Sequence, residues 1–472
     1  MKRISACLIA ALLASCSMDP KYVEPELPVP PSWPVGDAYL RQSESALPAL
    51  GYRDIFRDPR LQSLIAQALA NNRDLRIAAA NIAVAREQYR IQRAERLPQV
   101  DAGGGANVSG GGGNGGTRAN FSTNVGISNF EIDLFGRVAS LTRAQQNRYF
   151  ATEAAARATR LALVADVANA WLTYGADASL LRIAQETVTS AQESVRLTRA
   201  RLQGGIAPRT DLRQAEQILA AAQSDVAEQR TALAQDVNLL QLLVGAPIDP
   251  TLLPVSIEEA APRIAELPSG LDSRILLRRP DVLEAEYQLR AANAEIGAAR
   301  AALFPTISLT GLLGLASGAL TGLFSGGAFS WSAGANVNYP IFRAGAGRAG
   351  VRLSEAQRTA ALGSYERAIQ TAFREVADAL ARRGTMAEEL RARTAQAEAT
   401  ADTFRLVQAR YRGGIDSFLS SLDAQRSLYA AQRVLVSTRL LQATNLVALY
   451  RSLGGDASLQ SQPVETQLPP TR

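Results

Sequence analysis

The sequence contains the stretch ARLQGGI at residues 200–206 and a close copy of it, ARYRGGI, at residues 409–415. Each copy follows a long stretch in which apolar residues recur every seven positions. A Gly-Gly pair at the end of such a stretch is typical of a turn, because glycine adopts the left-handed conformation that ends a helix without strain. The two copies therefore predict two helical hairpins within one chain.

The two long helices are predicted over residues 138–203 and 350–412, with returning helices over residues 210–244 and 417–453. At about 1.5 Å per residue, each long helix would extend roughly 95–100 Å, far beyond the mean helix of about a dozen residues. A seven-residue apolar repeat packs as a left-handed coiled coil, so these helices are predicted to form walls. The repeat consists of Val167, Tyr174, Leu181, Val188, Val195 and Leu202 in the first half, and Leu390, Ala397, Phe404 and Tyr411 in the second.

Similarity extends outward from the turns, which indicates that the chain is a duplicated unit. Asn72-Arg73-Asp74 matches Arg279-Pro280-Asp281 at an offset of 207 residues, and the two turns match at an offset of 209. Such a period is too long for a solenoid. Each half is predicted to have the order helix, strand, strand, long helix, turn, helix, with the first helices over residues 59–97 and 272–304.

Between the first and the long helix of each half, the sequence is rich in glycine and alternates between apolar and small polar residues. The apolar positions are Phe329, Trp331, Ala333, Ala335, Val337, Tyr339 and Ile341 in the second half, and Phe121, Thr123, Val125 and Ile127 in the first, where the phase changes at Asn129 and Phe130. Alternation over about ten residues is typical of transmembrane β-strands, although a soluble hairpin packed on helices would alternate in the same way. Lipid tolerates no open sheet edge, so four strands per chain predict closure with other copies, and three chains would supply twelve strands.

The N-terminus reads MKRISACLIAALLASC, in which two basic residues precede an apolar run that is too short to span a bilayer. Leu13-Ala14-Ser15-Cys16 resembles the bacterial lipobox, whose cysteine is acylated after the leader is removed. Ser17, rather than aspartate, follows the cysteine and favours export to the outer membrane. We therefore predict a signal peptide over residues 1–15 and lipidation of Cys16; the alternative is an ordinary secretory leader with a chance cysteine.

The remaining boundaries follow from the repeat and from proline content. The predicted segments are a lipidated N-terminal tether and equatorial segment (16–58), the first repeat (59–245), a proline-rich equatorial linker (246–271), the second repeat (272–454) and a C-terminal tail (455–472). The prolines after residue 19 predict an extended tether without a core of its own.

Composition excludes several classes of function. The chain has no histidine, and its two cysteines, Cys7 and Cys16, both lie near the N-terminus, so we predict no metal site, no cofactor and no disulfide in the body of the protein. No motif brings together a nucleophile and a base, which argues against an enzyme. The net charge of +6 is too diffuse for a nucleic-acid surface.

These features together resemble the outer-membrane factor family, that is, TolC-like channels and in particular NodT-type efflux lipoproteins. The strings that carry the resemblance are FEIDLFGR at 130–137, RRPDV at 278–282, PIF at 340–342, RYRGGID at 410–416 and LDAQ at 422–425. The resemblance implies a mainly α-helical fold with transmembrane β-strands: a homotrimeric 12-stranded barrel in the outer membrane, continued by a coiled-coil barrel in the periplasm. It also implies passive, gated efflux of small molecules, with a periplasmic adaptor and an inner-membrane exporter of the RND type as partners.

The helical turns supply the remaining candidate residues. The Gly-Gly pairs are explained by helix termination alone, and the resemblance implies that these turns also dock the adaptor. The docking candidates are Arg201, Gly204, Gly205, Arg410, Gly413 and Gly414. Tyr411 and Asp416 are the gate candidates, since three copies of Asp416 would form a carboxylate ring at the periplasmic mouth. The alternative for Asp416 is that it caps the returning helix. Rival classes are a periplasmic adaptor lipoprotein, a coiled-coil scaffold and, least favoured, an enzyme.

Overall fold

The computed structural model describes residues 18–30, 32–34, 39, 51–110, 117–265, 273–452 and 454. The predicted signal peptide, Cys16 and the C-terminal tail lie outside these residues. The chain divides into two compact units. Unit 1 comprises residues 1–26, 81–153 and 284–367, and unit 2 comprises residues 27–80, 154–283 and 368–472.

Helices make up most of the described chain. They are α1 (Tyr52–Ile55), α2 (Pro59–Asn71), α3 (Arg73–Ala94), α4 (Arg137–Gln203), α5 (Arg209–Val244), α6 (Ile257–Ala260), α7 (Pro280–Ala301), α8 (Ala346–Arg412) and α9 (Phe418–Ser452). Short 3-10 segments lie at Pro250–Leu252, Ala261–Arg263, Ser273–Arg278 and Leu320–Gly322. Helices α4 and α8 each have 67 residues, which confirms the two long helices, and α5 and α9 confirm the returning helices to within a few residues.

The first helix of each half was predicted too long. In the first half the chain leaves the helical conformation at Asn72, where ψ is 136°, so that α2 and α3 are separate helices. The Asn72 side chain accepts a hydrogen bond from the Leu75 amide at 3.0 Å, which caps α3. In the second half Ser273–Arg278 is a 3-10 segment and α7 begins only at Pro280, because proline suits the first turn of a helix.

The end of each returning helix meets the start of an earlier helix of its own half, α3 in the first half and α7 in the second, and we call these two contacts joint 1 and joint 2. In joint 1, Asn72 donates a hydrogen bond to the Leu243 carbonyl at 2.8 Å. In joint 2, Arg279 donates to the Ser452 carbonyl at 2.9 Å. A left-handed glycine, Gly245 in joint 1 with φ of 73°, ends each returning helix. A Cβ there would lie 2.6 Å from the Asn71 carbonyl oxygen, so no larger residue fits.

The strands of unit 1 form one antiparallel sheet in the order β1-β2-β3-β4. They are β1 (Val100–Ser109), β2 (Arg118–Ile132), β3 (Thr306–Ser317) and β4 (Phe329–Asn338). The pairing of β2 with β3 shifts between Ile127 and Phe130, and Asn129 between them has φ of 58°. This bulge is the physical cause of the phase change in the sequence pattern. Strand β4 ends at Asn338, so the predicted continuation to Ile341 is wrong.

Strand β4 carries large apolar side chains that no described residue covers. Phe329, Trp331 and Val337 are 66%, 70% and 62% exposed. Among the described residues, β1 and β4 each pair with a strand on one side only, so both edges of the sheet are open. An open edge with exposed apolar side chains needs further strands and an apolar environment.

The linker between the repeats packs on α4 within unit 2. The Trp171 indole donates to the Leu252 carbonyl at 2.9 Å. The Ser179 hydroxyl donates to the Glu258 carboxylate at 2.7 Å, and Arg439 of α9 binds the same carboxylate at 2.7 Å. The linker therefore ties the long helix of the first repeat to the returning helix of the second.

Candidate functional site

The two helical turns have the same backbone. Gly205 and Gly414 both have φ of 75°, which confirms that one glycine in each turn adopts the left-handed conformation expected after a helix. The Ile206 amide donates to the Arg201 carbonyl at 2.9 Å, and the Ile415 amide donates to Arg410 at the same distance. A Cβ on Gly204 or on Gly413 would meet nothing closer than 3.5 Å, so the first glycine of each pair is not required sterically.

The two turns are joined by Arg201 of the first repeat and Tyr411 of the second. The Arg201 guanidinium lies 4.3 Å from the centre of the Tyr411 ring and donates to the Tyr411 carbonyl at 2.6 Å. The Tyr411 hydroxyl lies 3.2 Å from the hydroxyl of Thr198. Tyr411 is only 4% exposed, and it belongs to a core cluster with Val195, Ala215, Phe418 and Leu422.

The equivalent arginine of the second turn has a different partner. Arg410 donates two hydrogen bonds to the Asp416 carboxylate, at 2.8 and 3.0 Å. The hydrogen bond with Arg410 lowers the pKa of the Asp416 carboxyl, which therefore stays ionised near neutral pH. Asp416 does not cap α9, because the Ser417 hydroxyl accepts the hydrogen bond from the Ser420 amide at 3.2 Å.

A polar groove lies beside the turns in unit 2. It has a volume of about 700 Å³ and is lined by residues of α4 and α8. Charged residues at its wall are Glu186, Glu193, Arg196 and Arg412. The groove exposes charged and polar groups, whereas the aromatic Tyr411 is buried beneath the turns.

A pair of carboxyl groups, which was not predicted from the sequence, joins α4 to α5. Asp236 lies near Asp177, and burial together with the charge of Asp177 raises the pKa of Asp236 to about 7. Burial also raises the pKa of Asp177. Asp236 Oδ2 is buried and forms no hydrogen bond with any described residue, and burial together with the charge of Asp236 raises the pKa of Tyr174. Two carboxyl groups in this position share a proton.

A sequence signal for this pair existed in the apolar repeat of α5. Ala215, Ala222, Gln229 and Asp236 are spaced by seven residues, and the first three are buried. An ionisable residue at a core position of a coiled coil is costly unless it is neutral or paired. The break in the repeat at Asp236 therefore marks the carboxyl pair.

The FEIDLFGR string forms the junction between β2 and α4 in unit 1. Glu131 binds Arg137 with hydrogen bonds of 2.9 and 2.6 Å. Asp133 accepts a hydrogen bond from the Ala139 amide at 2.7 Å and so satisfies the first turn of α4. Gly136 has φ of 74°, and Phe135 stacks on Phe304 with 4.7 Å between the ring centres. The string is thus explained by a strand that turns sharply into a long helix.

The described part of the chain has neither a helix suited to cross a membrane nor a cluster of metal-binding side chains. No helix there is both long enough and apolar enough to cross a membrane. No group of three or more acidic or cysteine side chains there is placed to hold a metal ion.

Comparisons with known proteins agree over almost the entire chain. The family described as "Outer membrane efflux protein" matches twice, at residues 64–246 and 271–455. The antibiotic efflux pump outer membrane protein ArpC and the toluene efflux pump outer membrane protein TtgC, both of Pseudomonas putida, are each 45% identical over 461 residues, covering 96% of this chain and 95% of theirs. The open-state structure of the Neisseria gonorrhoeae MtrE outer membrane channel is 35% identical, with a TM-score of 0.84, covering 93% of this chain and 98% of that one.

The fold and the sites thus define an outer-membrane efflux channel. The chain belongs to the outer membrane efflux protein family. The predicted fold class, a mainly α-helical chain whose transmembrane β-strands build a trimeric barrel, is confirmed, as are its location in the outer membrane and its role in efflux. The rival reading as a periplasmic adaptor is wrong, because the relatives that match nearly the whole chain are channels.

Proposed function

We propose that this chain is the exit duct of a tripartite efflux system, working with a periplasmic adaptor and an inner-membrane exporter of the RND type. The observation that carries the proposal is 45% identity over 461 residues to outer membrane proteins of efflux pumps. Deleting the gene should sensitise its host to exported compounds, and expressing the chain should restore resistance. In planar bilayers the purified trimer should conduct ions. Restored resistance without conductance would contradict a channel.

The substrates are small molecules of the kinds named for the relatives. One relative at 45% identity is named for antibiotics and another for toluene, so one scaffold of this kind serves chemically different compounds. We propose that this chain passes small amphipathic or apolar molecules without selecting among them. Resistance profiles obtained with two different exporters should therefore follow the exporter rather than the channel.

The turns are the proposed docking surface for the adaptor. The residues are Arg201, Gly204, Gly205, Arg410, Gly413 and Gly414, together with the neighbouring polar groove. The left-handed glycines present backbone groups at the end of each hairpin. Arg410 has a 56% exposed side chain, so it is within reach of a partner, whereas Arg201 is engaged with Tyr411. In this proposal Arg410 contacts the adaptor directly, whereas Arg201 supports docking by holding the two turns in the shape that the adaptor binds.

Asp416 and Tyr411 are the proposed gate. Three copies of Asp416 around the mouth of a trimer would form a ring of charges. The pairing of each Asp416 with Arg410 makes that ring a set of ion pairs, whose net charge depends on both partners. Tyr411 supports the gate from beneath, because its ring and carbonyl hold Arg201 of the first turn.

Lipidation of Cys16 is the proposed anchor, and the scarcity of lysine gives a direct test. Lys2 and Lys21 are the only lysines in the sequence. If the leader is removed and the Cys16 amine is acylated, Lys21 carries the one remaining primary amine. Amine-reactive labelling of mature Lys21→Arg should then fall to background, while Lys21→Arg combined with Cys16→Ser should not. Labelling of the single variant at the level of a free N-terminus would refute N-acylation.

A further inference from the structure

Residues 19–22, which directly follow the predicted anchor, lie against unit 1 in a defined site. The Asp19 carboxylate accepts hydrogen bonds from the Ser140 hydroxyl at 2.6 Å and from Arg143 Nε at 2.7 Å. The Pro20 carbonyl accepts a hydrogen bond from the Asn293 side chain at 2.8 Å. The Tyr22 ring lies 5.0 Å from the Arg290 guanidinium. Asp19, Pro20 and Tyr22 are thus each contacted by side chains of the helices of unit 1.

Two of the partners are polar side chains that are almost fully buried. Ser140 is 0% exposed and Asn293 is 5% exposed. Both side chains donate hydrogen bonds to the segment, Ser140 to the Asp19 carboxylate and Asn293 to the Pro20 carbonyl. The Asn293 amide would lose the Pro20 carbonyl if the segment left. These side chains are therefore built to receive an extended peptide.

Gly297 makes room for the segment. A Cβ at this position would lie 1.7 Å from Asp19 Oδ1 and 2.9 Å from the Asp19 Cα, which is a direct overlap. Gly297, Asn293, Arg290 and Glu286 follow one another at spacings of four, three and four residues, so they lie along one face of α7. The missing side chain of Gly297 and the polar groups beyond it form a groove that runs down this face.

We propose that this groove, which we call the N-terminal groove, is an internal docking site for the mature N-terminus and fixes where its acyl chains enter the bilayer. The proposal rests on the lipid anchor proposed above. Cys16 precedes Asp19 by three residues, so the two Cα atoms lie within about 11 Å of each other. Asp19 contacts Ser140, one turn into α4 and next to the junction with β2. Docking thus fixes Asp19 beside the point where β2 ends, and the reach of three residues limits how far from there the acyl chains can enter the bilayer.

Lysine-specific proteolysis tests docking at a single bond. In the mature chain the protease has one site, after Lys21, and this residue is exposed although its neighbours are bound. A protease needs an extended stretch of chain around the cleaved bond, so the docked segment should resist cleavage. In the detergent-solubilised trimer, Gly297→Ala should be cut about tenfold faster or more than the wild type, since cleavage follows the population of the undocked form.

The matched control is Gly363→Ala. Gly363 is also a helical glycine of unit 1, but a Cβ there would meet nothing within 4 Å, so its cleavage rate should equal that of the wild type. Asp19→Ala provides a second test that leaves the helices unchanged, and it should also be cut faster. Wild-type cleavage as fast as that of the denatured protein, or equal rates for all variants, would overturn the docking site.

The same digestion separates the groove from the anchor. The released peptide, residues 16–21, carries the acyl groups if Cys16 is lipidated, and its mass shows them. A protected bond with an unacylated peptide would leave the groove intact and overturn its anchoring role. An acylated peptide from an unprotected bond would overturn the groove and leave the anchor in place.

Discussion

The two repeats share their long helices, returning helices, turns and joints, but they hold them together with different side chains. Joint 1 uses the neutral Asn72, whose amide caps α3 and binds the Leu243 carbonyl. Joint 2 uses the charged Arg279, which binds the Ser452 carbonyl, Asp281 and Glu375 of α8. The backbone has the same conformation in both joints, since each returning helix is followed by a glycine with positive φ. The second repeat adds an ion-pair network that also reaches its long helix.

The joints should therefore differ in sensitivity, and this is the largest effect we expect. Arg279 is 6% exposed, so Arg279→Met leaves two carboxylates without their shared cation and should lower the free energy of unfolding by about 3 kcal/mol. Asn72→Ala removes a cap and one hydrogen bond and should cost about 1–2 kcal/mol. Thermal midpoints of the solubilised trimers would measure both. Equal losses would show that the network adds nothing to the joint.

The turns repeat this contrast with two matched arginines. Arg201→Ala removes a cation–π contact and a hydrogen bond to a buried tyrosine, and should lower stability by about 1–2 kcal/mol. Arg410→Ala removes only an exposed ion pair, so the thermal midpoint should barely move. Both variants should lower efflux if the turns dock the adaptor. Adaptor binding by the purified trimers separates the two causes of this loss.

The control for that experiment is Tyr411→Phe, which keeps the ring beneath Arg201 and loses only the contact with Thr198. Its stability should lie between those of the wild type and Arg201→Ala. If Arg410→Ala binds the adaptor as tightly as the wild type does, contact through Arg410 is refuted. If Arg201→Ala keeps its stability, the contact between the turns is not structural.

The carboxyl pair offers a pH test of the same comparison. At the offset of 209 residues that matches the two turns, Asn445 of the second repeat is equivalent to Asp236 of the first. The side-chain amide of Asn445 donates a hydrogen bond to the Ala379 carbonyl at 3.0 Å. The pKa of Asp236 in the folded state, about 7, lies above the ordinary value of 3.8 for an aspartate, so the folded state binds the extra proton. Stability should therefore fall as pH rises from about 4 to about 7, and level off above that range.

Asp236→Asn should remove this dependence, because it gives the first repeat the neutral residue of the second. Relative to wild type, the variant should gain nothing near pH 4 and about 1 kcal/mol near pH 8, a value reduced for partial exposure of the pair. Asp177→Asn should behave alike, since the two groups share one proton. A gain that is the same at every pH would mean that the pair does not titrate in this range.

The contrast between the repeats also shows which features can be predicted from sequence. The long helices and the turns follow from local patterns, the seven-residue repeat and the Gly-Gly pairs. The change of phase at Asn129 was visible in the sequence, but the bulge that causes it was seen only in the structure. The start of α7 at Pro280 has a local signal, since proline suits the first turn of a helix, but the helix was predicted to begin earlier. The break at Asn72 was missed because it depends on a contact with the Leu243 carbonyl, 171 positions away. The pairing of Arg201 with Tyr411 was missed for the same reason, since it joins the two halves.

The two turns also differ where the second repeat has Asp416 and the first repeat has Ala207. We expect this difference to have the smallest effect on stability. Asp416→Ser keeps a small polar residue, and α9 keeps its cap on Ser417, so the thermal midpoint should stay nearly unchanged. The two partners of the ion pair should nevertheless shift conduction in opposite directions. Asp416→Ser leaves three unpaired arginines at the mouth and should favour anions, while Arg410→Ala leaves three carboxylates and should favour cations.

Reversal potentials in a salt gradient across a planar bilayer would show these opposite shifts, and the double variant should return to the wild-type value. If the gate lay elsewhere on the chain, both single variants would keep the ion selectivity and the opening of the wild type. Low salt should enlarge the two shifts and high salt should reduce them, because exposed charges are screened over about 10 Å at 0.1 M. If both single variants shifted the reversal potential in the same direction, the ion pair would act through the shape of the mouth. A charge effect requires opposite shifts, because one variant removes the negative partner and the other removes the positive one.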